Sequence, residues 1–352
     1  MAKLLAIRFS ALGDVAMTLP VLYSFASAYP QHTVVMVSRK GMAPLFADCP
    51  VNIHFRGIDL KAYRGLAGLN RLYHELRSEE FDAVVDLHDV LRSKYLRWRF
   101  RLHGTPVASI DKGRADKHRL IARHHKVLRQ LPSSFSRYQT VFAKSGYTFP
   151  LRFHSVFGEG KGNSQAFAQW TGSKGDDRWI GIAPFAAHRG KILPVPLMEK
   201  VLQQLSSLDG MRLFLFGGGK QEKERLESWQ ETFPHTLSMA GKLKLNEEIA
   251  LMSHLDVMIS MDSGNMHLAS LAGTPVVSVW GATHPYAGFM GWGQSEQNAV
   301  QASMECRPCS IYGNKPCFRG DYACLWSISP EEIVRKVMAL LDKGNTLKTL
   351  LS

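Results

Sequence analysis

Three short stretches of the chain hold residues able to do chemistry. Ser10-Ala11-Leu12-Gly13-Asp14 sets a carboxylate just after an apolar run and at the start of a helical pattern. Asp14 is there a candidate general base for a substrate hydroxyl, or an acid that only complements a helix dipole. Asp262-Ser263-Gly264-Asn265-Met266-His267 also follows an apolar run and opens a helical pattern. The free N–H groups and positive dipole end of such a turn bind phosphate without a lysine. Gly264 lets a ligand approach the backbone, and His267 can donate to a phosphate oxygen or serve as an ordinary structural histidine. Lys191, in His188-Arg189-Gly190-Lys191, can balance the charge of a leaving diphosphate or stand as a solvated loop lysine. Gly217-Gly218-Gly219 is a further loop open to close ligand approach, although a tight turn also explains it.

These stretches need strands to carry them. Residues 4–8 and 33–37 are short apolar runs, and residues 14–28 between them have helical spacing with Leu19, Leu22 and Phe25 on one face. Residues 83–87 and 107–110 repeat the strand signal after a helical stretch at 68–77. A second alternation places strands at 179–183, 213–216, 257–260 and 276–280, with helices at 196–207, 220–233, 246–253 and 264–272. Strands alternating with helices give parallel sheets covered by helices. The chain therefore reads as α/β, with two similar α/β halves and a cleft between them. Polar, glycine-rich stretches at 158–164 and 171–177 mark the linker. The expected organisation is residues 1–160, residues 178–328, and a closing helix within residues 329–352 capped by Ser329.

Composition narrows the function classes. With 352 residues, 45% hydrophobic and 21% charged, the chain is globular and long enough for two cores. Its 43 Lys plus Arg against 30 Asp plus Glu give a formal charge of +13. Most of that excess falls in residues 92–129, where twelve cations face only Asp111 and Asp116. Such a block can meet nucleic acid, anionic lipid or a phosphorylated substrate, or be a solvated surface. Trp98 and Phe100 sit only at its start, so the aromatic interleaving of a single-strand binder is absent and nucleic acid is not favoured. No G-x-G-x-x-G follows the first strand and no P-loop occurs, which removes the main support for dinucleotide oxidoreductases and P-loop NTPases. No Asp-x-Asp pair for a nucleotide-bound metal is present, and G-x-S-x-G is missing too. Cys306, Cys309, Cys317 and Cys324 can ligate zinc, pair reversibly or stay free, while Cys49 reads as a small buried hydrophobe. The chain opens with no cleavable signal and has no membrane-spanning run, so a cytoplasmic location is expected.

In combination, Arg8-Phe9-Ser10-Ala11-Leu12-Gly13-Asp14-Val15, Lys191, Asp262-Ser263-Gly264-Asn265-Met266-His267-Leu268-Ala269 with Gly273-Thr274-Pro275-Val276-Val277, and the late cysteine cluster resemble the lipopolysaccharide heptosyltransferases of glycosyltransferase family 9. The resemblance implies a GT-B architecture, with the acceptor bound by the first Rossmann-like domain, the donor by the second, and the final helix packed back on the first. It implies inverting, metal-independent transfer of heptose from ADP-heptose to the inner core of lipopolysaccharide, without a cofactor. Asp14 then matches the general base and Lys191 the lysine facing the diphosphate. Ser263, Gly264 and His267 match the phosphate turn, and Asp262 fixes its geometry or touches the sugar. Glu222, or Glu224 beside it, corresponds to an acid near the ribose, and Arg92, Ser93 and Arg114 match basic positions of the acceptor side. The partners implied are ADP-heptose or a related nucleotide sugar and an anionic lipid-linked saccharide, met by a peripheral protein on the cytoplasmic face of the inner membrane. Two other readings stay open: a GT-B transferase for a different nucleotide sugar, and a non-catalytic basic protein that binds membrane or nucleic acid.

Overall fold

The computed structural model describes residues 1–351, with side chains described for residues 1–343. The chain divides into two compact units, one of residues 1–113 and 132–158, the other of residues 114–131 and 159–352.

The first unit is built on strands β1 (Lys3–Ile7), β2 (Thr33–Arg39), β3 (Ile53–Ile58), β4 (Ala83–Asp86) and β5 (Val107–Ser109), in the order β3-β2-β1-β4-β5. Every ladder is parallel. Central β1 pairs on both sides, Leu5 lying opposite Val35 and Val84, and Leu4 through Ile7 are fully buried. Burial from both faces is why this strand reads as an unbroken apolar run. Helices α1 (Leu12–Ala16), α2 (Leu19–Ala28), α3 (Gly65–Arg77) and α4 (Leu91–Leu102) follow the strands. Helix α2 buries Leu19, Leu22 and Phe25, the face its spacing predicts.

The second unit contributes helix α5 (Arg114–Leu120), while α6 (Ser134–Lys144) returns to the first unit. After α7 (Ala168–Thr171) come β6 (Arg178–Ala183), α8 (Val195–Ser206), β7 (Met211–Leu215), α9 (Lys220–Thr232), β8 (Thr236–Ser238), α10 (Leu245–Met252), β9 (Val257–Met261), α11 (Gly264–Leu271), β10 (Val276–Trp280), β11 (Ala299–Gln301), α12 (Ala323–Trp326) and α13 (Pro330–Leu351). The six strands are parallel in the order β11-β10-β9-β6-β7-β8. Its core joins Ile180, Ile182, Leu213, Leu215, Val257, Ile259, Val277 and Val279 to the inner faces of α8, α9 and α13.

One expectation needs correction. Residues 114–131 do not continue the first domain: Leu120 and Leu131 are buried with Ala287 and Ile311, and the Leu131 N–H donates to the Tyr286 carbonyl at 2.9 Å. A few well-placed apolar anchors decide this segment, and its many charges conceal them. The described side chains of the closing helix join the second unit's core. Ile333, Val337 and Leu341 are built into the second unit's core, against α8 and the β9 and β10 strands. Residues 344–352 of the expected closing segment lie outside the described side chains. The sequence reading also passes over three edge strands, β3, β8 and β11, which are short or only partly buried.

Candidate active site

In an open parallel sheet, ligands bind beyond the carboxyl ends of the strands. In the first unit, β1 ends at Ile7 and the chain turns through Arg8 into α1. Arg8 is buried, and its Nη2 lies 2.8 Å from Asp14 Oδ2, while the Asp14 side chain is 30% exposed. Arg8 Nη1 donates to the Leu87 carbonyl at 2.6 Å, and its guanidinium sits 5.7 Å from the Tyr138 ring centre. Asp14 Oδ2 also accepts the Ala11 N–H at 3.1 Å, and the Tyr138 hydroxyl donates to the Asp14 carbonyl at 3.3 Å. The carboxylate is thus fixed from behind and partly open in front.

The neighbouring strand β4 supports this arrangement. His88 Nδ1 accepts the Phe9 N–H at 3.2 Å, which leaves the ring proton of neutral His88 on Nε2. Burial, together with Arg8 and Lys112 nearby, lowers the His88 pKa to about 4 against the opposing pull of Asp14. Buried Asp86 accepts the N–H groups of His88 and Asp89 at 2.9 Å each and pairs with Arg97 at 3.0 Å. Arg8, His88 and Asp86 were not singled out as functional from sequence. The signal available was a charged or polar residue at the very end of a buried strand.

In the second unit, Lys191, Asp262 and the glycine loop all follow parallel strands and so share one sheet edge. Lys191 Nζ lies 3.0 Å from Asp262 Oδ2, with side-chain exposures of 16% and 4%. Gly313, at φ +75°, backs the lysine: a Cβ there would fall 2.4 Å from Lys191 Cγ. The Asp262 N–H donates to the Val279 carbonyl at 3.1 Å. Ser263 precedes α11 in extended backbone, but its hydroxyl lies 3.3 Å from Ser260 Oγ and makes no cap bond. The first-turn N–H groups from Gly264 onward are therefore not satisfied by that side chain, and buried His267 lies in the same turn. Glu222, in the first turn of α9, accepts the Gly218 N–H at 2.8 Å and holds the glycine loop. Glu224 instead pairs with Lys220 at 3.9 Å on the exposed face, so Glu222 is the acid at the loop.

The acceptor candidates are divided between the two units. Arg92 is exposed on α4 of the first unit, whereas Arg114 opens α5 of the second. Ser93 is fully buried, with its hydroxyl donating to the Val90 carbonyl at 3.1 Å and accepting the Val90 N–H at 3.0 Å. That hydroxyl caps α4, a structural task that replaces the expected ligand contact. Much of the basic block is also committed internally: Arg97 pairs with Asp86 and Asp89, Arg99 lies 4.3 Å from the Tyr73 ring centre, and Arg129 pairs with Asp116 at 2.8 Å. All five cysteines are free thiols, and among the described residues no group of three or more His, Cys, Asp or Glu is placed to hold a metal ion.

Comparison with known proteins agrees with this architecture. Residues 69–316 match the profile of Glycosyltransferase family 9 (heptosyltransferase). The chain is 24% identical to lipopolysaccharide heptosyltransferase 1 of Pseudomonas aeruginosa over 98% of this chain and 100% of that one. It is also 24% identical to the lipopolysaccharide core heptosyltransferase OpsX of Haemophilus influenzae over 80% of each. Among solved structures, a family 9 glycosyl transferase of Veillonella parvula superposes with a TM-score of 0.74 at 21% identity, covering 97% of this chain and 98% of that one. The E. coli heptosyltransferase WaaC with ADP superposes with a TM-score of 0.67 at 20% identity, covering 96% and 99%. The two parallel-sheet units have the GT-B fold, and the chain belongs to glycosyltransferase family 9, the heptosyltransferase family.

Proposed function

We propose that the protein transfers heptose from ADP-heptose to the inner core of lipopolysaccharide, with inversion and without a metal. One observation carries the reading: each sheet edge holds an acid–cation pair, and the two pairs offer opposite members to a ligand. Asp14 is the more exposed member of the first pair and Lys191 of the second. An inverting displacement needs a base at the acceptor and a cation at the leaving group.

Asp14 takes the proton of the acceptor hydroxyl while that oxygen attacks the anomeric carbon opposite the diphosphate. The bond from that carbon to the phosphate oxygen breaks, and ADP leaves with the electron pair. Lys191 and the first-turn N–H groups of α11 receive the charge, and His267 supports them. These groups supply the electrostatic stabilisation otherwise provided by a divalent ion, so chelation with EDTA leaves the rate unchanged. Asp262 orients Lys191, and Glu222 meets the nucleoside ribose. Exposed cations of the basic segment, Arg92 and Arg114 among them, meet an anionic lipid-linked acceptor, which places the protein peripherally on the cytoplasmic face of the inner membrane. The names of the relatives support the donor and acceptor class: one similar structure contains ADP, and the similar proteins are lipopolysaccharide heptosyltransferases.

The test is incubation with ADP-heptose and heptose-deficient lipopolysaccharide, read by mass spectrometry. A heptose increment with the anomeric configuration inverted is expected. No increment, or retention of configuration, overturns the proposal.

A further inference from the structure

The later half of the basic segment and the cysteine loop enclose a cavity of about 360 Å³ within the second unit. That is the size range of small-ligand sites. Arg123, His124 and Lys126 line one side, and Cys306, Cys309 and Lys315 line another. No Asp or Glu is among the lining residues.

The positive charge around it is held without being cancelled. Lys126 Nζ donates to the carbonyls of Glu305 and Pro308, at 3.1 and 3.0 Å. Behind the cysteines, buried Arg307 gives its N–H groups to the carbonyls of Gly281, Ala302, Trp280 and Thr283 and to Gln301 Oε1. The Arg123 guanidinium lies 4.7 Å from the Phe318 ring centre. Among the described residues, neither Arg123, Lys126, Lys315 nor Arg307 pairs with a carboxylate. The field reaches beyond the cavity: burial, then Arg307 and Lys126, lower the His284 pKa to about 4. A fixed cationic cavity with no acid in its wall is complementary to a compact anion.

We propose that this cavity receives a phosphate monoester or carboxylate substituent of the saccharide acceptor. It is an anion subsite separate from the Lys191 turn, which serves the donor. The cationic wall calls for an anion whatever the reaction, and the identity of the anion's carrier rests on the transferase reading. The lining thiols make the site readable without turnover.

The experiment follows iodoacetamide labelling of Cys306 and Cys309 in the full-length protein by peptide mass spectrometry. A hexosamine phosphate should slow labelling saturably, inorganic phosphate should do so only at higher concentration, and neutral hexosamine should not. The double variant Arg123→Gln, Lys315→Gln changes exposed side chains and so should stay folded; it should lose the protection. The same variant should raise the acceptor KM about tenfold, the scale of a lost charged hydrogen bond, with ADP affinity unchanged. Absence of protection by either anion overturns the proposal. So does equal protection by phosphate and hexosamine phosphate combined with an unaltered acceptor KM. If the protein transferred no heptose but the sugar phosphate still protected the thiols, the reaction assignment would fail while the anion cavity stood.

Discussion

The first unit buries its cation and presents its acid, whereas the second buries its acid and presents its cation. Arg8 is 9% exposed beside a 30% exposed Asp14, and Asp262 is 4% exposed beside a 16% exposed Lys191. Both pairs sit where a parallel strand gives way to a turn, and both are close, at 2.8 and 3.0 Å. The similar folds thus yield opposite reagents through the choice of which partner the strand end swallows. A buried partner fixes the exposed one, and removing the exposed one leaves an uncompensated buried ion.

The largest effect should come from the exposed acid. Asp14→Asn keeps the shape and removes the base, so turnover should fall about 10²- to 10⁴-fold in a donor-saturated assay. Lys191→Met should cost about 10²- to 10³-fold in kcat, the scale of a lost transition-state donor. It also leaves Asp262 buried and unpaired, with a stability loss of about 3–5 kcal/mol by denaturant titration. The double variant Lys191→Met, Asp262→Asn should recover most of that stability and none of the turnover. Arg8→Met should be milder in catalysis, lowering kcat about tenfold through a less ordered Asp14, again with ADP affinity unchanged. Turnover lost with Arg8 but kept in Asp14→Asn would break the comparison, because the first pair would then present its cation.

The smallest effect on turnover concerns His88, the buried support of the first pair, whose change is read in stability. Its pKa is about 4 in the folded protein against an ordinary 6.5, so the unfolded chain binds the extra proton first as pH falls. The stability held by neutral His88 is complete above pH 6.5 and is lost as pH drops toward 4. His88→Asn should flatten the stability profile in that window, measured by thermal unfolding between pH 4 and 7. An unchanged slope would remove His88 from the account.

The sequence showed where the two edges lie, because Asp14 and Asp262 each follow an apolar run long enough to be a buried strand and precede helical spacing. It did not show which member of each pair would be exposed. That depends on Leu87, Tyr138 and Gly313, residues distant in sequence that surround Arg8 and Lys191. Residues 114–131 were illegible for a related reason. Their surplus of charge suggests a surface continuing the preceding domain, and only the burial of Leu120 and Leu131 against Ala287 and Ile311 assigns them to the other unit. Ser93 shows the same limit at the scale of one hydroxyl: the family resemblance implies an acceptor-side role, but the helix cap takes the group. Strand β3 escaped because its partly exposed Arg56 and Gly57 interrupt the apolar run.

Isothermal titration of ADP into the Asp14→Asn protein and into the Lys191→Met, Asp262→Asn protein tests the opposed pairs most directly. The first should bind with wild-type affinity and the second about tenfold or more weakly, as expected for a lost charge-assisted contact to phosphate. Weakened binding in the first with wild-type affinity in the second would contradict the opposed roles.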